Sequence, residues 1–152
     1  PKRDGTPQFW KIFYSCGNRV EENTDFRPIL SSTNYTQRIQ NKINLLKSLK
    51  KRGVWLVDSS IVALYNAGRK PAYKQMLTTI RASWDGYIGD VVKECAPEHV
   101  IVIGKGVASS VEDRLRKVVG TRYSVIAQPN AHLSAERHLA NYQEYYRLCS
   151  SY

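Results

Sequence analysis

Three short apolar runs in this chain end in residues that can donate, accept or carry charge. Val54-Trp55-Leu56-Val57 runs into Asp58-Ser59-Ser60, Val100-Ile101-Val102-Ile103 into Gly104-Lys105-Gly106, and Tyr123-Ser124-Val125-Ile126-Ala127 into Gln128-Pro129-Asn130-Ala131-His132. Asp58 brings a carboxylate that, when ionised, only accepts hydrogen bonds. Gln128 and Asn130 bring amides that both donate and accept, and His132 an imidazole. Gly104-Lys105-Gly106 precedes a helical stretch, so the bared N–H groups of the helix start and Lys105 can together hold a phosphate. The same residues also suit a tight strand-to-helix turn. Their spacing is neither G-x-x-x-x-G-K-[ST] nor G-x-G-x-x-G, which counts against a nucleotide P-loop and a dinucleotide site.

The three runs are too short for helices and rich in β-branched residues, so they read as buried parallel strands. Between them lie helical stretches at 71–95, with Trp84, Ile88 and Val91 inward, and at 107–118, with Val107, Val111, Leu115 and Val118 inward; a last helix covers about 134–148. Upstream, Phe9, Ile12 and Phe13 share a helical face that Gly17 stops, residues 18–33 read as a loop, and residues 34–51 read as an amphipathic helix ended by Gly53. In that helix Ile39, Ile43, Leu46 and Leu49 are expected inward beneath a solvated cationic face. Alternating strands and helices imply a parallel sheet covered on both faces. Ligands of such folds bind at the carboxyl ends of the strands, where Asp58, Lys105 and Gln128 stand.

The 152 residues suit one domain. With 23 Lys and Arg against 13 Asp and Glu, the net charge is +10, which concentrates polyanions at the surface and makes DNA the expected partner. Arg38, Lys42, Lys47, Lys50, Lys51 and Arg52, together with Arg69 and Lys70 between Tyr65 and Tyr73, are candidate phosphate contacts. Tyr142, Tyr145, Tyr146 and Tyr152 suit base stacking, although the first three fit helix packing equally well. No stretch approaches the roughly 20 apolar residues of a membrane span, so no membrane partner is expected. Cys16, Cys95 and Cys149 are odd in number and form no CxxC pair, so no metal site, cofactor or disulfide is expected and an intracellular setting fits.

Taken in order, the three strand ends resemble the uracil-DNA glycosylase superfamily over about residues 45–150. Arg52-Gly53-Val54-Trp55-Leu56-Val57-Asp58-Ser59 is similar to the segment in which a Gly-Val-Leu-Leu-Leu-Asn strand delivers an Asn to the flipped uracil. Pro97-Glu98-His99-Val100-Ile101-Val102-Ile103-Gly104 is similar to the later strand that ends in Gly before a helix, and Gln128-Pro129-Asn130-Ala131-His132-Leu133-Ser134 lies where the superfamily has His-Pro-Ser-Pro-Leu-Ser. The resemblance implies a three-layer α/β/α fold around a short, mainly parallel sheet, and an enzyme that flips a modified or mismatched base and hydrolyses its N-glycosidic bond. It implies base-binding roles for Asp58 and Asn130, catalytic roles for Gln128 and His132, and a wedge at Leu133 or His132. The alternatives are a non-catalytic DNA-binding module on the same fold and a nucleotide- or RNA-binding α/β protein.

Two substitutions alter the chemistry that the resemblance implies. Asp58 stands for the family's Asn: an ionised carboxylate accepts from an exocyclic amine, such as cytosine N4 or adenine N6, and repels uracil O4. The alternative for Asp58 is a turn residue with Ser59 and Ser60. Gln128 stands for the family's His and offers a departing base a neutral donor without a proton. The superfamily's early motif that positions water has no counterpart before Phe9-Trp10. Met76 is the only methionine, so the chain is read as an ordered or processed part of a longer protein, with that motif upstream of Pro1 or absent altogether.

Overall fold

The computed structural model describes residues 7–30, 34–62, 64, 72–129 and 132–152. They fall into two compact units, Pro1–Trp55 with Pro129–Tyr152, and Leu56–Gln128.

The described residues of the first unit form only helices: α1 (Pro7–Gly17), α2 (Arg27–Leu30), α3 (Tyr35–Lys51) and α7 (Ala135–Ser150). The single turn α2 lies in the span expected as loop. Asn34 starts α3 by accepting the Gln37 N–H at 3.0 Å, and Ser134 starts α7 by accepting that of Arg137 at 3.3 Å. The core of the unit is Ile12, Cys16, Val20, Ile29, Leu49, Tyr142, Tyr145 and Leu148. Arg52 fastens the ends of two helices: Nη1 donates to the carbonyls of Cys16 and Gly17, both at 3.2 Å, and Nη2 to the carbonyl of Cys149 at 2.9 Å. The neighbouring thiols interact as well. Cys16 donates to Cys149, which with burial raises the Cys16 thiol above its ordinary range; the same bond and the charge of Arg52 lower that of Cys149.

The second unit carries a long helical stretch, α4 (Tyr73–Ser83) and α5 (Gly89–Cys95) joined by a π-helical turn over Trp84–Ile88. Then follow β1 (Val100–Ile103), α6 (Lys105–Val119) and β2 (Tyr123–Ile126). β1 and β2 pair in parallel, Val100 opposite Tyr123 through Ile103 opposite Ile126. Ile80, Trp84, Ile88, Val102, Ala108, Val111, Leu115 and Val119 form one core with Val107 and Val118 packed against it, so the helices cover strand β1 largely with the face expected of them, although Val92 and not Val91 packs there. The protein is thus a mixed helix–strand chain with a small parallel sheet.

Two expectations change. Residues 54–57 do not form a strand, and among the described residues the sheet has two strands. Gly53 adopts φ +74° and the Val54 N–H bonds back to the Leu49 carbonyl at 3.0 Å, so the run begins by closing α3. Trp55, Leu56 and Val57 are then exposed, Trp55 to 72%, with Lys50 Nζ 5.6 Å from the Trp55 ring centroid. Helix α3 keeps Leu49 buried and Ile39 half-buried as expected, but part of the face that it turns inward differs. Lys42 is 4% exposed, whereas Ile43 and Leu46 are exposed. The Lys42 stem reaches the ring of Trp10, with Nζ 4.5 Å from its centroid, so a lysine occupies a position that periodicity assigns to solvent.

Candidate functional site

Gly104 is the position from which the carboxyl ends of the two strands are organised. Its N–H bonds to the carbonyl of Ile126, the last paired residue of β2, at 2.7 Å, one residue beyond the last paired residue of β1. Its φ of +104° with ψ of 132° lies in a region essentially reserved for glycine. A Cβ there would stand 2.7 Å from Gln128 Cγ and 2.9 Å from Nε2, so the amide of Gln128 lies directly on the glycine backbone. Lys105 follows as the first residue of α6, exposed, and no side chain caps that helix. The first-turn N–H groups of a helix lack intrahelical partners. An amide donor, an ammonium and a helix start are therefore neighbours here. Gly106 brings the α6 backbone against α4, where an added Cβ would lie 3.6 Å from Met76 Cε and 3.8 Å from Tyr73 Cε2.

Asp58 belongs to the same unit and is exposed, in the segment that does not form a strand. The turn that follows is made by Ser60 rather than by Asp58: Ser60 Oγ donates to the Val62 carbonyl at 2.8 Å. The Ile61 N–H is tied to Ser83 Oγ of α4 at 3.2 Å. The structure thus brings Gln128 and Lys105 together through Gly104, and among the described residues no hydrogen bond or ion pair joins Asp58 to them. Leu133, half-buried, and His132, exposed, lie in the other unit, just before α7. Asn130, Arg69 and Lys70 lie outside the described residues, as does Tyr65.

The cations of α3 are more committed than a solvated face would be. Besides Lys42, Arg38 lies 5.3 Å from the centroid of the Tyr35 ring. Arg52 is engaged with helix-end carbonyls, and Lys47 and Lys51 remain as exposed ammonium groups on the helix. From Tyr35 to Arg52 there are six cations and no carboxylate.

A cavity of about 580 Å³ in the first unit was not anticipated. It is lined from α1 by Gln8 and Lys11, from the following loop by Val20, Glu22 and Phe26, and from α7 by Ala135, His138, Leu139 and Tyr142. The α7 residues recur at three- and four-residue steps, a signal available in the sequence, but the same steps fit ordinary core packing. Pro129, from the loop singled out by sequence, also lines it.

No protein-family model matches the chain, and neither a curated protein nor a solved structure matches it.

Proposed function

We propose that this chain binds DNA and acts on a base within it, as a divergent relative of the uracil-DNA glycosylases with their three-layer α/β/α fold. The observation that carries this reading is the amide of Gln128 resting on Gly104 at the head of α6, beside Lys105. Lys105 and the first-turn N–H groups suit a phosphate, and Gln128 Nε2 suits a carbonyl oxygen that gains negative charge as the base departs. In the reaction the bond from C1′ to the base nitrogen breaks, water supplies the new C1′–O bond, and the water's proton leaves to solvent while the base takes one up. Asp58 is the base reader, for amine-bearing bases, and Asn130 the second base-binding residue. His132 is the second catalytic group or the wedge, Leu133 the other wedge, and Arg69 and Lys70 hold phosphates.

A second reading, DNA binding without chemistry, is favoured by Asp58, which is exposed and has no side-chain hydrogen bond among the described residues. Both readings rest on phosphate contacts, and one pair of measurements separates them. Affinity for a duplex should fall by orders of magnitude between low and moderate salt if several phosphates are held. Abasic-site formation on duplexes carrying uracil or a mismatched amine-bearing base then reports chemistry. Release of the amine-bearing base, with weak action on uracil that Asp58→Asn increases, supports the first reading; steep salt dependence without release leaves the second. Binding that is insensitive to salt defeats both.

A further inference from the structure

Two of the three cysteines meet in the first unit, although nothing in their spacing announces it. Cys16 lies in the last turn of α1 and Cys149 in the last turn of α7. One guanidinium gathers their backbones: Arg52 Nη1 donates to the Cys16 carbonyl at 3.2 Å and Nη2 to that of Cys149 at 2.9 Å. The side chains complete the approach, with the Cys16 thiol donating to the Cys149 sulfur. A disulfide needs its sulfurs at about 2.05 Å, so a hydrogen-bonded pair of thiols stands a short side-chain movement from that bond. An odd count without a CxxC pair gave no disulfide to expect, because only the fold makes the ends of α1 and α7 converge. The third cysteine, Cys95, is exposed and belongs to the other unit.

The two thiols are not equivalent. Cys16 is 6% exposed, whereas Cys149 is only half-buried, so a reagent in solution meets Cys149 first. The thiolate is the nucleophile in thiol chemistry. At Cys149 the hydrogen bond from Cys16 and the charge of Arg52 favour it, against the opposing effect of burial. The same bond and burial hold Cys16 as the protonated partner. Tyr145, one turn back on α7, lies near both thiols, and burial keeps its phenol protonated and neutral. The pair thus combines an accessible, activated thiol with a second one sheltered directly behind it.

From this arrangement we infer that Cys149 and Cys16 form a redox modification site for low-molecular-weight disulfides, with Cys149 as the attacking thiol and Cys16 as the resolving one. In the first step the Cys149 thiolate attacks one sulfur of the small disulfide; that S–S bond breaks, a mixed disulfide forms and a small thiolate leaves. In the second, Cys16 gives up its proton and attacks the Cys149 sulfur, the mixed disulfide breaks and a second small thiolate leaves. The chain loses two electrons and two protons, the small disulfide gains the electrons, and its two thiolates take up protons. The product joins the helix ends that Arg52 already fastens and closes a loop that contains the whole second unit in sequence. In a reducing compartment a bond of this kind is transient and serves as a sensor of redox state. The site is independent of the function proposed above and uses none of its residues.

The test treats the full chain with glutathione disulfide and follows it by intact mass and peptide mapping. Cys95, exposed and apart, should carry a glutathione adduct and so reports that the reagent is active. The Cys16 and Cys149 peptides should be recovered joined to each other, with two hydrogens lost and no adduct. Cys16→Ala should raise the adduct on Cys149 at least about ten-fold over the parent, because resolution by a thiol already in contact outruns exchange with a second small one. Cys149→Ala should leave the buried Cys16 unmodified. In urea, where the fold no longer selects the pair, adducts should spread over all three cysteines. The map of the parent decides even where a variant does not fold. A lasting adduct on Cys149 in the parent, a pair that stays reduced while Cys95 reacts, or the same Cys16–Cys149 bond formed equally well in urea overturns the inference.

Discussion

The two units hold their positive charge in different ways. The first has thirteen Lys and Arg against six Asp and Glu, the second ten against seven. All four cation–ring contacts among the described residues, those of Lys11, Arg38, Lys42 and Lys50, lie in the first unit. A ring stabilises an ammonium or guanidinium without cancelling its charge. In the second unit the arginines of α6 meet carboxylates: Arg114 grips Asp85 with two bonds, at 2.6 and 3.0 Å. Arg116 joins Glu112 and Tyr123. The first unit also pairs Arg19, Arg27 and Arg147 with carboxylates, but each with one three residues away or fewer, so it keeps the larger net positive charge, while Arg114 of the second unit ties separate elements together. If phosphate binding is general across the surface, charge reversal in either unit should weaken it equally; if this contrast matters, the first unit dominates.

The sharpest test of the second unit is its glycine hinge. Gly104→Ala forces a side chain into a glycine-only conformation and against Gln128 Cγ, and should destabilise the unit by about 3 kcal/mol. Amide hydrogen exchange should show lost protection in β1 and α6 but not in α1 and α7. Uniform loss across both units would mean that they unfold as one and that contrasting them has no thermodynamic meaning. The counterpart in the first unit is Arg52→Met, which strips the ends of α1 and α7 of a shared donor. These bonds are partly solvated, so a loss of about 2 kcal/mol is expected, seen as faster exchange in α1 and α7 with α6 unaffected.

How much of this was legible in the sequence differs between the same two regions. The helices around β1 and β2, and the strands themselves, follow from β-branched runs and from Val107, Val111, Leu115 and Val118 at helical steps, because a local period suffices to place a core face. The run 54–57 is as uniformly apolar as β1, yet its first N–H is already used to close α3. Composition does not register that commitment. Lys42 was assigned to water because periodicity ranks residues by polarity, and only the tertiary placement of Trp10 makes its position an inward one. The cavity was illegible for a related reason: Gln8, Phe26 and His138 come from separate segments, and no spacing links them. Lys105 and Gln128 follow the two strands that pair, because both runs were read as strands, whereas the expected link to Asp58 required a third strand.

A smaller effect tests whether the first unit also stores a cost. Tyr145 is 2% exposed and its hydroxyl has no hydrogen-bond partner among the described residues; burial accordingly raises its phenol above the ordinary range. Tyr145→Phe removes the stranded hydroxyl while keeping the ring, and should raise the stability of the first unit by about 1 kcal/mol. A drop in melting temperature would mean that the hydroxyl does find a partner in solution.

The smallest effect is a matter of pH, and it concerns how the second unit uses its carboxylates. Among the ion pairs of the described residues, Arg114–Asp85 joins the π-helical turn to α6, whereas Arg19–Glu21, Arg27–Asp25, Arg116–Glu112 and Arg147–Glu144 span four residues or fewer. The hydrogen bonds from Arg114 hold the Asp85 carboxyl below its ordinary value. A carboxyl lowered in the folded state contributes stability that is present above its ordinary value and lost as the pH falls through the folded one. Between about pH 5 and about pH 3, exchange protection over residues 84–88 and 110–115 should therefore decline, and Asp85→Asn should remove part of that decline. Rings do not titrate there, so the Lys42–Trp10 contact should persist over the same interval. An acid response that is identical in the parent and in Asp85→Asn would show that this pair, about half exposed as it is, holds nothing together, and that the two units differ in charge but not in how charge stabilises them.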